Sequence, residues 1–169
     1  ACLLSGVPLV HLHGGEITEG AFDDSVRHAI TKLAALHFVA TEEFAERVLQ
    51  LGEEPWRVHV TGALSLATSA PSIKTADLSR SVGLDLERGF FLVTVHPETV
   101  GRTGPEQLMQ TIIDALSRFA ESAVIVTAPN LDPGADAILA MIKQWANDEP
   151  GRIVFIPSLG YHRYSAALR

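Results

Sequence analysis

Apolar positions follow two alternating rhythms from one end of the chain to the other. Short apolar runs of strand length occur at residues 7–12, 37–40 and 57–61. Between them, residues 23–36 and 42–51 repeat their apolar side chains at helical spacing. Val26, Ile30, Leu33 and Ala34 share one face of the first predicted helix, and Phe44, Val48 and Leu51 share one face of the second. Thr41 stands where an N-cap belongs, with Glu42 and Glu43 in the turn that follows. Residues 67–75 (ATSAPSIKT) have no apolar stripe and read as a linker. The alternation then resumes with strand 90–95, helix 105–119, strand 123–127, helix 134–145 and strand 152–156. Pro105 suits the first turn of its helix, where a missing N–H costs nothing. Apolar strands separated by amphipathic helices predict an α/β fold with parallel sheets covered on both faces.

In such sheets ligands bind beyond the carboxyl ends of the strands. That rule singles out residues 13–24, 62–66, 96–104 and 128–134, all rich in Gly, Pro and polar side chains. The densest of these regions is HLHGGEITEGAFDDSVRH, residues 11–28, with three histidines, two glutamates, two aspartates and an arginine. Gly14 and Gly15 allow close backbone approach to a ligand directly after a strand. Asp23 and Asp24 open a helix, and Arg27 and His28 lie four residues on from each, within side-chain reach. His11 and His13 point the same way along a strand, but a zinc site needs further ligands that the sequence does not supply. No metal is therefore expected, and His11 reads as a satisfied core or cleft residue. His96 ends an apolar strand within VTVHPET, and Asn130 and Asp132 lie in APNLDPG at the end of the next. The chain contains no Walker A, G-x-G-x-x-G or G-x-S-x-G motif.

Composition narrows the function classes. Thirteen Lys and Arg against 20 Asp and Glu give a formal charge of −7, the wrong sign for a nucleic-acid reader. No apolar run approaches the ~20 residues of a membrane span, so neither nucleic acid nor membrane is an expected partner. The single cysteine, Cys2, excludes an internal disulfide and fits a reducing, cytoplasmic setting. The opening ACLLSGVPLVHL lacks a basic n-region, and the closing YHRYSAALR reads as a helix that stops without a cap. Both ends look like those of a segment of something longer.

The block HLHGGEITEGAFDDSVRHAITKLAALHF, followed in order by QLGEEPWRVHVTGAL, VTVHPET and APNLDPG, resembles the hydrolysing UDP-N-acetylglucosamine 2-epimerases of sialic-acid-type pathways. The resemblance runs over nearly the whole chain. It implies two Rossmann-like lobes of GT-B type facing a cleft, each only partly present: residues 1–66 from the first, 67–75 as linker and 76–169 from the second. It also implies a UDP-sugar substrate, no cofactor, a homodimer at full length, and an inactive isolated segment. The implied reaction removes the C2 proton of a UDP-N-acetylhexosamine, expels UDP from C1 and hydrates the resulting glycal to a free N-acetylmannosamine-type sugar.

Carried over by position, Asp23 matches an acid/base carboxylate, Arg27 an arginine near the diphosphate, His96 a contact to the nucleotide or leaving group, and Asn130 a position near the uridine. Asp24, His28 and Asp132 join them as candidate substrate contacts. Relatives often have Glu where this chain has His13, so His13 and Glu16 both stand as catalytic candidates. The non-hydrolysing 2-epimerase, a non-catalytic nucleotide-sugar-binding module and a GT-B glycosyltransferase are the competing readings.

Overall fold

Strand and helix alternate in the computed structural model as the hydropathy pattern predicts, and the chain separates into two units, Ala1–Ser69 and Ala70–Arg169. The structure describes residues 2–67, 73–98, 100 and 103–169, so the centre of the expected linker, 68–72, lies outside the described residues.

The first unit contains β1 (Val10–Leu12), α1 (Asp23–Leu33), β2 (Leu36–Val39), α2 (Glu42–Gln50), a 3-10 turn at Pro55–Arg57, β3 (Val58–Val60) and α3 (Leu64–Ala67). Its three strands are parallel in the order β1-β2-β3, with His11 opposite His37 and Phe38 opposite His59. Side chains alternate along a strand, so His11, His37 and Val39 share one face while Val10, Leu12, Leu36 and Phe38 share the other. Both helices lie over the first face: Thr31 of α1 bonds His11, and Ala45 and Val48 of α2 pack on Val39. Successive crossovers of one hand between neighbouring strands require that arrangement. The expectation of two covered faces therefore fails here among the described residues. Val10 and Leu12 on the second face stay 47% and 46% exposed.

Under α1 and α2 the interior is polar. His11, Thr31, His37 and Glu53 are all buried. The Glu53 carboxylate accepts from Lys32 Nζ at 2.6 Å and lies 3.2 Å from His37 Nε2, with Arg57 Nη1 at 3.7 Å. Burial pushes the Glu53 pKa up, but the hydrogen bonds from Lys32 and His37 outweigh it and leave the group below its ordinary range.

The second unit contains α4 (Thr75–Val82), β4 (Phe90–Val93), α5 (Pro105–Leu116), β5 (Ala123–Val126), α6 (Ala135–Asp148), β6 (Ile153–Phe155) and α7 (Gly160–Ala167). Its parallel sheet runs β4-β5-β6. Met109, Ile138, Ile142 and Trp145 of α5 and α6 cover the face of Val124 and Val126. Leu78 and Val82 of α4, with Leu159 and Tyr164, cover the face of Ala123 and Ile125. All four residues of β5 are buried, the mark of a central strand with helices on both sides.

Candidate active site

The loop after β1 is held in a shape few sequences could adopt. Gly15 has φ +80°, and a Cβ there would stand 2.2 Å from the Phe44 carbonyl oxygen, so both conformation and space demand glycine. Arg47 of α2 donates to the Gly15 carbonyl and to Glu43 Oε1. Among the described residues His13 is the non-glycine residue in the left-handed region, at φ +63°, a conformation that for such residues marks local constraint. Its Nε2 accepts a long bond, 3.5 Å, from the Leu64 N–H, which puts the neutral ring's proton on Nδ1. That proton faces Glu16 Oε1 at 2.7 Å. His13 and Glu16, alternatives in sequence, thus form one hydrogen-bonded couple.

The paired aspartates divide their work. Asp24 Oδ1 accepts from the Thr18 N–H at 3.2 Å, and the carboxylate lies 3.6 Å from both Arg27 Nη1 and His28 Nε2. The pairing of Asp24 with His28 follows the sequence spacing. The expected reach of Arg27 to Asp23 does not form, because the guanidinium instead donates to the Glu16 carbonyl and to Thr18 Oγ1, each at 3.0 Å. Loop acceptors folded back over α1 outcompete an exposed partner one turn away. Asp23 consequently makes no ion pair among the described residues. Its side chain lines a cleft of about 270 Å³ with His11, His13, Glu16 and Arg27, against an apolar wall of Val26 and Ile30. Asp24 and His28 stand outside that lining, and His28 Nδ1 is buried without a hydrogen-bond partner among the described residues.

His11 is the lining residue that sequence reasoning set aside. Burial, reinforced by His37, Arg27 and His28, lowers its pKa, so the ring is neutral near pH 7. Its position in β1, two residues before His13, was the available signal, although β1 stops at Leu12 and His13 turns into the loop at φ +63° instead of continuing the strand as the spacing suggested.

In the second unit the loops after β4 and β5 meet. The Asn130 N–H donates to His96 Nδ1 at 3.0 Å, which leaves the proton of the neutral ring on the exposed Nε2. Asn130 and Asp132 are bound to each other: the Asp132 N–H donates to Asn130 Oδ1 at 3.3 Å, and Asn130 Nδ2 donates to Asp132 Oδ2. Gly134 (φ +93°) lets the start of α6 close on Pro97 and Pro105, where a Cβ would come within 3.1 Å of Pro105 Cγ. His96, Asn130 and Asp132 therefore form one strand-end cluster of a donor imidazole and an Asx turn.

With these two clusters in place, comparison with known proteins becomes informative. A sequence profile of the family described as UDP-N-acetylglucosamine 2-epimerase matches residues 1–169. The chain belongs to that family. It is 32% identical over 170 residues to the GDP/UDP-N,N'-diacetylbacillosamine 2-epimerase (hydrolyzing) of Campylobacter jejuni, covering 99% of this chain and 44% of that protein. It is 31% identical over 156 residues to the Legionella pneumophila UDP-N,N'-diacetylbacillosamine 2-epimerase (hydrolyzing), covering 91% and 41%. The epimerase fold is equally clear in solved structures. The Neisseria meningitidis UDP-GlcNAc 2-epimerase bound to UDP-GlcNAc superimposes with a TM-score of 0.75 at 13% identity, over 99% of this chain and 47% of that one. The chain thus spans less than half the length of the relatives it matches.

Proposed function

We propose that this chain carries part of the machinery of a hydrolysing 2-epimerase that converts a UDP-linked N-acetylhexosamine to UDP and a free N-acetylmannosamine-type sugar. The observation that carries the proposal is the cleft in which an unpaired carboxylate, Asp23, shares a wall with the His13–Glu16 couple and the Arg27 cation. The C2 proton of a sugar is weakly acidic, so its removal needs a carboxylate or imidazole at hydrogen-bond distance. Asp23 and the His13–Glu16 couple supply that chemistry. As the C1–O bond breaks, its electrons leave with the diphosphate, and the C2–H pair becomes the C1=C2 double bond of the glycal. The growing anionic charge calls for cations and N–H donors. Arg27, which lines this cleft, offers such a cation. The hydrolysing relatives in Campylobacter and Legionella favour water as the group that then adds to the glycal.

The test is an NMR assay of the full-length protein in D2O with UDP-N-acetylglucosamine, and in parallel with a UDP-2,4-diacetamido-6-deoxyhexose, the sugar type in those relatives' names. Free sugar carrying deuterium at C2, together with UDP, is the expected product. An intact UDP-N-acetylmannosamine-type product would assign the non-hydrolysing reaction instead, and the absence of any C2 exchange would leave a binding module. Residues 1–169 alone are expected to be inactive, and robust turnover by them would contradict the proposal.

A further inference from the structure

We propose that His11 is the base that takes a proton from the water adding to the glycal, and that Thr31 is the positioning residue that holds its imidazole in the working tautomer. The proposal rests on the hydrolysing reading above. Thr31 Oγ1 donates to the Arg27 carbonyl at 3.1 Å, the ordinary back-bond of a helical threonine. A hydroxyl has one proton, so Thr31 Oγ1 receives rather than gives in its 3.1 Å contact with His11 Nδ1. The proton of the neutral ring is therefore on Nδ1, and Nε2 carries the lone pair.

Two further observations agree. A Cβ on Gly14 would stand 3.1 Å from His11 Nδ1 and 3.5 Å from Thr31 Oγ1, so the first glycine of the pair leaves room for this bond. His11 lines the cleft yet is only 8% exposed, which suits access by a molecule of water's size rather than by a sugar ring. Asp23 and the His13–Glu16 couple, on the open side of the same cleft, remain for the carbon-bound proton. Burial and the neighbouring His37, Arg27 and His28 keep the ring uncharged near pH 7.

In the step proposed, the water oxygen bonds C1 and one water proton passes to His11 Nε2. The C1=C2 electron pair takes up a proton at C2 on the face opposite the one deprotonated, as inversion requires. Of Asp23 and the His13–Glu16 couple, one is therefore the base of the elimination and returns its proton to solvent, while the other is the acid and is replenished from solvent. The imidazolium then releases its proton to solvent, so the net change is one water consumed and one proton set free beside UDP.

The experiment is the full-length protein with His11→Asn, which retains an N–H for Thr31 and has no lone pair at the Nε2 position. Formation of free sugar is expected to fall by ~10²–10⁴-fold while UDP release continues and the glycal accumulates in the NMR spectrum. Free sugar formed at the wild-type rate would overturn the proposal. A second measurement does not depend on turnover: imidazole nitrogen–proton correlations of the wild-type protein should show His11 protonated at Nδ1, lost in Thr31→Val and restored in Thr31→Ser. A ring protonated at Nε2 would overturn the assignment by itself. Should the wild type release no UDP from either nucleotide sugar, the hydrolysing reading fails before any variant is made, and that failure is distinct from either result on His11.

Discussion

Two parallel three-stranded sheets of the same strand order behave as different materials in this chain. In the second unit α5 and α6 cover one face of the sheet, while α4 and α7, from before the first strand and after the last, cover the other. In the first unit the crossovers α1 and α2 cover one face, and the described chain offers no helix for the other, where Leu12 is 46% exposed. The interiors differ as sharply. The second unit buries Val124, Ile125 and Val126 in succession, whereas the first buries His11, Thr31, His37 and Glu53. Crossovers alone cover a single face of a sheet, and the second layer must come from elements outside the strand–helix repeat. The unit with the more polar interior is also the one that carries the cleft lined by His11, His13, Glu16, Asp23 and Arg27.

The largest effect that sharpens this contrast is chemical. In the full-length protein, Asp23→Asn is expected to lower kcat by ~10²–10⁴-fold, and His96→Asn, which removes the Nε2–H of the second unit's strand-end cluster, likewise. Steady-state rates of UDP release check both, and a loss below tenfold in each would remove these residues from the mechanism. Next in size is packing. Ile138→Ala, at a fully buried position of the second unit, should cost about 2–5 kcal/mol in urea unfolding of residues 1–169. Leu12→Ala should cost about 0.5 kcal/mol or less. Equal costs would mean that something covers the Leu12 face in solution.

Gly15→Ala should fall between these, at about 1–3 kcal/mol, because φ +80° and the Phe44 carbonyl both oppose a Cβ. A further effect is on acid stability. Glu53 has a lowered pKa in the folded state, so its contribution is complete above about pH 4.5, its unfolded value, and is lost as pH falls through the lower folded value. Glu53→Gln should flatten that acid limb in pH-dependent melting and cost about 1–3 kcal/mol at neutral pH. An unchanged acid limb would show that the Lys32–Glu53–His37 cluster does not couple to folding.

Much of this architecture was legible as pattern. Asp23 does begin α1, and Thr41 does cap α2, accepting from the Phe44 N–H at 3.3 Å. Boundaries drifted where tertiary pairing decides them. β1 keeps only residues 10–12 of the expected 7–12 because only the stretch opposite Leu36–Phe38 finds a partner. α1 stops three residues early because Ala34 turns extended, at ψ 151°, to enter β2. α4 was missed because Lys74 gives no side-chain cap to announce it, although Leu78, Val82 and the left-handed Gly83 were there to be read. At the site, spacing brought out Asp24 with His28 but not the choice Arg27 makes among acceptors. Periodicity locates a side chain on its own helix and is silent about a loop that folds back over it.

The backbone of His13 has a further consequence for anyone who would redesign this loop. A glycine there would relax the torsion and discard the imidazole that Glu16 holds, while a β-branched residue would suffer from the left-handed geometry even more than histidine does. Rigidity and proton chemistry at that position are thus tied to a single side chain, and attempts to stabilise the loop by ordinary consensus substitutions should begin elsewhere.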